Sequence, residues 1–472
     1  MHLSEILPAA RLARQPLARL GLVGLSSIEA PVLAALATQS TLLLIGPHGT
    51  AKSLLLTRVA TALDLSFRHY NASLLNFDDL VGFPLPGKDG TLQYMQTPAT
   101  IWGAGAVIFD EVSRCRPDIQ NKLFPIIHER RVQGIELTGL KHRWAAMNPP
   151  CTDDDDNGYV GSEPLDAALA DRFVFVVPMP QWSEFSEAEQ LAIIRAEDTP
   201  IASADAKYLR DLIARTQAIL PTLAETLAPG VASYVRTMAA LLAQANLLLS
   251  PRRASMLFRA ILSVNAASLA LNPSVTASDA TLLAVRNALP QRAQGIPVPD
   301  VKLLAAHREA WRLAQVAPND PLRAILCTAD PVERLRLVVA TPKLPKSEFS
   351  RIVADVLAQL QPGAREAAIV HLFETGSVGR LNAAVASQAA EVYRDVATPP
   401  EFSETLHASN GRFRTWQRLK DLLSRLNPAD PRAHLQANAM AALFARKTLA
   451  TPEDAEQAFS KFAVTDAQMR AA

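Results

Sequence analysis

Cysteine is scarce in this chain. There are three in 472 residues, Cys115, Cys151 and Cys327, odd in number and far apart. That argues against a disulfide framework and suits a reducing, cytoplasmic setting. An excess of charge of one sign is missing too. Lys and Arg total 47 against 46 Asp and Glu, a net charge of +1. No global field therefore recruits nucleic acid or anionic membrane, although a local patch is not excluded. The N-terminus, MHLSEILPAARLAR, has no apolar core followed by a small-residue cleavage site, and no stretch reads as long enough to span a membrane. From about Val301 to the end, fixed-period repeats and low-complexity tracts are lacking as well. What is present is a 49% hydrophobic, 20% charged composition, that of a packed soluble protein. The chain is too long for one core, so two or three domains are expected.

The most informative stretch is TLLLIGPHGTAKS, Thr41 to Ser53. Leu42 to Ile45 reads as a buried strand, and a helical pattern follows Lys52 and Ser53. Between them lies Gly46-Pro47-His48-Gly49-Thr50-Ala51, a turn whose N–H groups can close around one anion at a helix N-terminus. In this strand–loop–helix context, residues Gly46 to Leu54 form a candidate phosphate-binding loop. Lys52 would reach the β- and γ-phosphates, and Ser53 would ligate Mg²⁺. Ala51 stands where that motif has glycine, at little cost if its φ is negative.

Strands alternate with helices as far as residue 178. Phe67–Asn71 is a second strand, and Lys88-Asp89-Gly90 reads as the turn of a small hairpin. Ala106–Phe109 is an apolar strand ending in Asp110-Glu111. A helix is expected from Pro117 to about Arg131, a strand over Trp144–Met147, a helix over Leu165–Arg172, and a fifth strand over Phe173–Val177. Ser26 or Ser27 can cap a helix across Ile28–Ala37. The class is α/β, with a mainly parallel sheet. Beyond Pro180 only helical patterns remain: Glu184–Ala196, Ala206–Leu220, Ala232–Ala245, Arg252–Leu271 and Ala280–Leu289, with Pro229-Gly230 read as a break. The expected domains are an α/β nucleotide-binding domain over 1–180 with an N-terminal strap, a helical lid over 181–292, and a helical C-terminal domain over 300–472.

Asp110, on a strand tip facing the loop, can hold Mg²⁺ directly or through water. Glu111 beside it can polarise the water that attacks the γ-phosphorus. Asn148, where the next strand meets the same sheet edge, can position that water, or can simply be good turn chemistry before Pro149-Pro150. Asp153–Asp156 reads as a solvated loop, and RFRTWQRLK around Trp416 as an amphipathic helix with a basic outer face. Phe77, Phe83 and Trp102 either form a small core of their own or face a partner.

GPHGTAKS, AVIFDEVSR, AAMNPP and LDAALADRF, in this order, resemble the MoxR and dynein-related AAA+ ATPases. NFDDLVG with its hairpin resembles the helix-2 insertion of that branch, HERRV its helix end, and SPRRAS the start of the sensor-2 helix. The likeness covers roughly residues 20–290 and implies an Mg²⁺-dependent ATPase working as a homo-oligomeric, hexameric ring. It gives Asn148 the sensor-1 role, and Arg172 the role of an arginine finger reaching the neighbouring subunit's γ-phosphate. Arg252 takes the lid-arginine role toward its own subunit's nucleotide, with Arg253 as the alternative. The implied activity is remodelling of a client protein, a metalloenzyme or a partner with a von Willebrand A domain. A nucleic-acid motor and a nucleotide-gated scaffold are the rival readings.

Overall fold

The computed structural model describes residues 15–86, 92–151, 161–196, 199–317, 320–328, 330–398 and 411–471. The Lys88-Asp89-Gly90 turn and the Asp153–Asp156 run lie outside them. The chain divides into two compact units, one up to Gln315 and one from Val316.

The first unit is built on a parallel sheet. Its strands are β1 (Leu42–Ile45), β2 (Phe67–Asn71), β5 (Ala106–Asp110), β8 (His142–Met147) and β9 (Phe175–Pro178), in the order β2-β5-β8-β1-β9. Two hairpins stand apart from it: β3 (Phe83–Pro86) with β4 (Leu92–Met95), and β6 (Arg131–Val132) with β7 (Ile135–Glu136). The strands of the sheet read as continuous apolar runs because both faces are covered. Leu42, Leu44, Ile108, Trp144, Ala146, Phe175 and Val177 pack on one side, with helices Glu29–Ala37, Lys52–Ala62 and Ser203–Gln244. Leu43, Ile45, Val107, Phe109, Ala145, Met147 and Val176 pack on the other, against Pro117–Glu129. Each fully buried Leu or Ile contributes about 2 kcal/mol.

Several boundaries differ from the sequence reading. The helix after Ser26-Ser27 begins only at Glu29, behind a 3-10 turn over Ser26–Ile28, and has no side-chain cap. Pro117–Glu129 stops where Arg130 enters the left-handed region (φ 56°), which turns Arg131 into β6. The expected helix over Leu165–Arg172 shrinks to Ala167–Ala170, because the Asp166 carboxylate caps it with bonds from the N–H groups of Ala168 and Leu169 at 2.9 and 3.0 Å. Pro229-Gly230 does not break the helical run. One 42-residue helix, Ser203–Gln244, runs through Pro221 and Pro229. Its buried face continues from Leu209 and Leu212 to Tyr234, Met238 and Leu242, and this packing outweighs the local cost of the prolines.

Pro251–Leu271 is long and apolar enough to cross a bilayer, contrary to the expectation that no stretch is. Two-thirds (67%) of its most apolar window is buried, with Leu257, Ile261 and Val264 in the first unit's core. Asp300–Ala314, expected in the C-terminal domain, packs Leu303 and Ala310 into the first unit's core. Its His307 lies between the Tyr234 hydroxyl (2.9 Å) and the Ser278 hydroxyl (3.1 Å).

The described part of the second unit is helical. The NDP, ADP and NPADP turns prove to be helix starts: Asp320, Asp330 and Asp430 each accept from the N–H two residues on at 2.9 Å, with proline at the first helical position. Trp416 packs on Phe444, ring centroids 5.3 Å apart, and Leu419 and Leu422 of the same helix are buried.

Candidate active site

Strand register assembles the site. β1 lies between β8 and β9, with Ile45 level with Met147 and Pro178. The Gly46 N–H then donates to the Met147 carbonyl (3.2 Å), so the phosphate loop leaves the sheet beside Asn148. On the far side of β8, Phe109 is level with Ala145, and Asp110-Glu111 emerges at the same edge.

Lys52 is buried, and its Nζ donates to the carbonyls of Gly46 (2.7 Å) and Pro47 (2.8 Å) and to Asn148 Oδ1 (3.1 Å). Burial pushes its ammonium below the usual lysine range, against the pull of Asp110 and Glu111. Ser53 Oγ donates to Asp110 Oδ2 at 2.5 Å, and His69 Nε2 stands 3.4 Å from the same oxygen. Burial alone would raise Asp110, but hydrogen bonds from His69, Ser53 and the Glu111 N–H outweigh it and hold the carboxyl below the usual carboxylate range. Asn148 Nδ2 donates to Glu111 Oε2 at 3.4 Å, and Arg114 Nε lies 3.3 Å from that atom. Lys52, Ser53, Asp110, Glu111 and Asn148, distant in sequence, therefore form one hydrogen-bonded group.

Two left-handed residues border the group, Ala51 (φ 60°) and Glu111 (φ 54°). The condition under which Ala51 replaces glycine cheaply is not met, and its conformation costs about 1 kcal/mol. A Cβ at Gly49 (φ 78°) would meet nothing within 4 Å, whereas one at Gly46 would strike Met179 Cβ at 2.7 Å. The loop is open where an anion would enter and tight where it leaves the sheet. A hydroxyl and a carboxylate, both hard oxygen donors, suit Mg²⁺ completed by phosphate oxygens and water.

Sequence reasoning missed the cavity beside the loop. It measures about 450 Å³ and is lined by Leu22, Val23 and Leu25 from the N-terminal segment, by His48 to Ala51 and Leu54, and by Trp182, Phe185 and Ile193. Nothing but apolar character marks Leu22, Val23, Leu25, Trp182, Phe185 and Ile193 in the sequence, whereas the rest of the lining belongs to the phosphate loop read there. The two alternatives for the insertion aromatics divide: Phe77 and Trp102 pack on the second face of the sheet, with Trp102 Nε1 bonded to the Val81 carbonyl (2.8 Å), while Phe83 is half exposed.

Arg172 and Arg252 do not join the group around Lys52. The Arg172 carbonyl accepts from the Thr41 hydroxyl at the start of β1, roughly 15 Å along the strand from Gly46. The Arg172 guanidinium lies 4.4 Å above the Phe124 ring and donates to the Ala168 carbonyl at 2.5 Å. Burial, then the neighbouring positive charge of Arg252, lower its affinity for its proton, and the same two arginines join burial in lowering His128. Arg252 is exposed. Arg253, next to it, is fully buried and bonded to Asp171 and to five backbone carbonyls.

Residues 41–173 match the family model of the AAA domain, dynein-related subfamily. A solved structure of a candidate ATPase from Cytophaga hutchinsonii is similar at 20% identity and a TM-score of 0.41, covering 64% of this chain and 95% of that one. No curated protein matches. The matched residues span all of the Lys52 group, from the phosphate loop to the sheet edge with the two acids and Asn148; over residues 41–173 the chain carries an AAA domain of the dynein-related subfamily, a P-loop ATPase domain.

Proposed function

We propose that the chain is a MoxR-type AAA+ ATPase that acts as a ring, hexameric by resemblance, and spends ATP turnover on remodelling a client protein. The supporting observation is the division of charged groups between the two ends of β1. At the Gly46 end, Lys52 would hold the β- and γ-phosphates, while Ser53 and Asp110 would hold Mg²⁺, which supplies positive charge to the phosphate oxygens. Glu111, steadied by Asn148, orients a water in line with the γ-phosphorus and accepts its proton. The apolar cavity beside the loop, with Val23 on one side and Trp182 and Phe185 on the other, has the size and lining to take the adenine base.

At the Thr41 end, Arg172 and Arg252 stand together with no phosphate loop of their own subunit beside them. Both arginines are read as serving the nucleotide of an adjacent subunit, where a guanidinium neutralises transition-state charge. This differs from the expectation that Arg252 reaches its own subunit's nucleotide. The second unit, with its own helical cores, is the candidate for client contact.

The test is ATP turnover per subunit against protein concentration, for the native chain and for Arg172→Ala mixed with Lys52→Ala. Turnover rising with concentration and partly restored in the mixture is expected. Flat turnover without restoration would overturn the shared site.

A further inference from the structure

Within the first turn of the helix Pro251–Leu271 lies Arg253, the alternative that the resemblance left open for the lid-arginine role, and its surroundings give it a different part. Arg253 has no exposed side-chain surface. Its Nη2 donates to the carbonyls of Phe173 (2.6 Å), Asp171 (3.0 Å) and Ala170 (3.4 Å), and its Nη1 to those of Val174 and Ala288 (both 3.1 Å). Its Nε lies 3.3 Å from Asp171 Oδ1. The other oxygen of that carboxylate accepts from Ser250 Oγ at 2.9 Å, and Ser250 Oγ in turn accepts the Arg253 N–H at 3.0 Å. Burying a guanidinium is costly unless every N–H is bonded, so this arrangement tolerates little displacement.

Four of those five carbonyls belong to residues 170, 171, 173 and 174, which flank Arg172 on both sides. The Arg172 carbonyl is taken by Thr41, so its backbone is held on every side while its guanidinium lies over Phe124 at the surface of the fold. Arg252 precedes Arg253 in the same helical turn. One buried side chain thus joins the lid to the segment that carries the outward-facing arginine.

We infer that Arg253 is a positioning residue for hydrolysis in the adjacent subunit: with Asp171 and Ser250 it holds Arg172 and Arg252 as a rigid pair aimed at that subunit's γ-phosphate. The inference rests on the shared-site reading given above. It makes the lid and the arginine pair one body, so a displacement of the lid displaces the pair. Misplacing a catalytic group by about 1 Å costs on the order of 100-fold in rate, whereas the phosphate loop, at the other end of β1, is left intact.

The experiment uses Arg253→Met and, because that change leaves several buried carbonyls unbonded, the milder Asp171→Asn. Each is measured for affinity for a fluorescent ATP analogue, for turnover alone, and for turnover when mixed with Lys52→Ala. Expected are nucleotide affinity within about threefold of native, turnover lowered about tenfold to a hundredfold, and restoration in the mixture. Restoration follows because Lys52→Ala subunits supply sound arginines to sound phosphate loops. A purely structural role would lower affinity with turnover and would not be rescued. Unchanged turnover, or no rescue while Arg172→Ala with Lys52→Ala is rescued, would overturn this inference alone. No rescue in either mixture would overturn the shared site and this inference with it.

Discussion

The hydroxyl of Thr41 donates to the carbonyl of Arg172 at 2.8 Å and accepts the Val174 N–H at the same distance. Thr41 directly precedes the strand that ends in the phosphate loop. The chain thus links the base of its own nucleotide site to the backbone of the arginine assigned to its neighbour's. Thr41→Val keeps the shape and removes both bonds, leaving two part-buried backbone groups unpaired. The variant should lose about 1–3 kcal/mol of stability, read as a lower thermal midpoint. Turnover at saturating ATP should fall more than KM rises, because the phosphate loop is untouched.

Ala51 is the next test. It sits in the left-handed region at the mouth of the loop, where glycine carries no Cβ penalty. Ala51→Gly should stabilise the protein by about 0.5–1 kcal/mol, the strain relief exceeding the added freedom of the unfolded chain. Thermal unfolding with and without nucleotide checks this, and a lower midpoint in both would contradict it.

On the roles proposed above, Glu111 and Ser53 separate the hydrolytic water from the metal. Glu111→Gln should keep nucleotide affinity and lose about 10²–10⁴-fold in turnover. Ser53→Ala removes the hydroxyl bonded to Asp110 and should instead raise the Mg²⁺ concentration needed for half-maximal turnover, by about tenfold or more. A magnesium titration on each variant distinguishes the two defects.

Glu29 gives a pH signature. Burial pushes its carboxyl from the ordinary 4.5 to about 8, although the Leu17 N–H bonded to Oε1 (3.1 Å) pulls it down. A carboxyl raised in the folded state lends stability that is full below pH 4.5. That stability is lost as pH rises, up to about pH 8. The N-terminal segment that lines the cavity beside the phosphate loop is tied down by this bond. Glu29→Gln keeps an acceptor for Leu17 and should flatten the fall in thermal midpoint between pH 5 and pH 8, a gain of at most about 5 kcal/mol at alkaline pH. A slope identical to that of the native chain would show that another group titrates.

Thr41 to Ser53 shows how much was legible in the residues. An apolar run, two glycines, a lysine and a serine state the strand, the loop and the helix in order, because all three depend on local backbone geometry. Asp110-Glu111 was legible for the same reason, as polar residues at the end of a buried strand. Helix ends were less so: Asp166 shortens one helix by capping it, and Arg130 ends another by turning left-handed, both matters of a single residue's conformation. Pro229 misled in the opposite direction, since the face from Leu209 to Leu242 recovers in packing what the proline loses locally.

The sequence by itself determined that a phosphate loop, two acids and a polar strand tip share one parallel sheet, because each is written in contiguous residues. Only the tertiary structure decided which of two arginines is exposed and which is sealed in the fold. Arg252 and Arg253 are adjacent and chemically identical, yet one is exposed beside Arg172 while the other is sealed among the carbonyls of residues 170, 171, 173, 174 and 288. Helical periodicity turns neighbouring side chains about 100° apart, and what each then meets depends on segments some 80 positions earlier in the chain, which no local pattern reports.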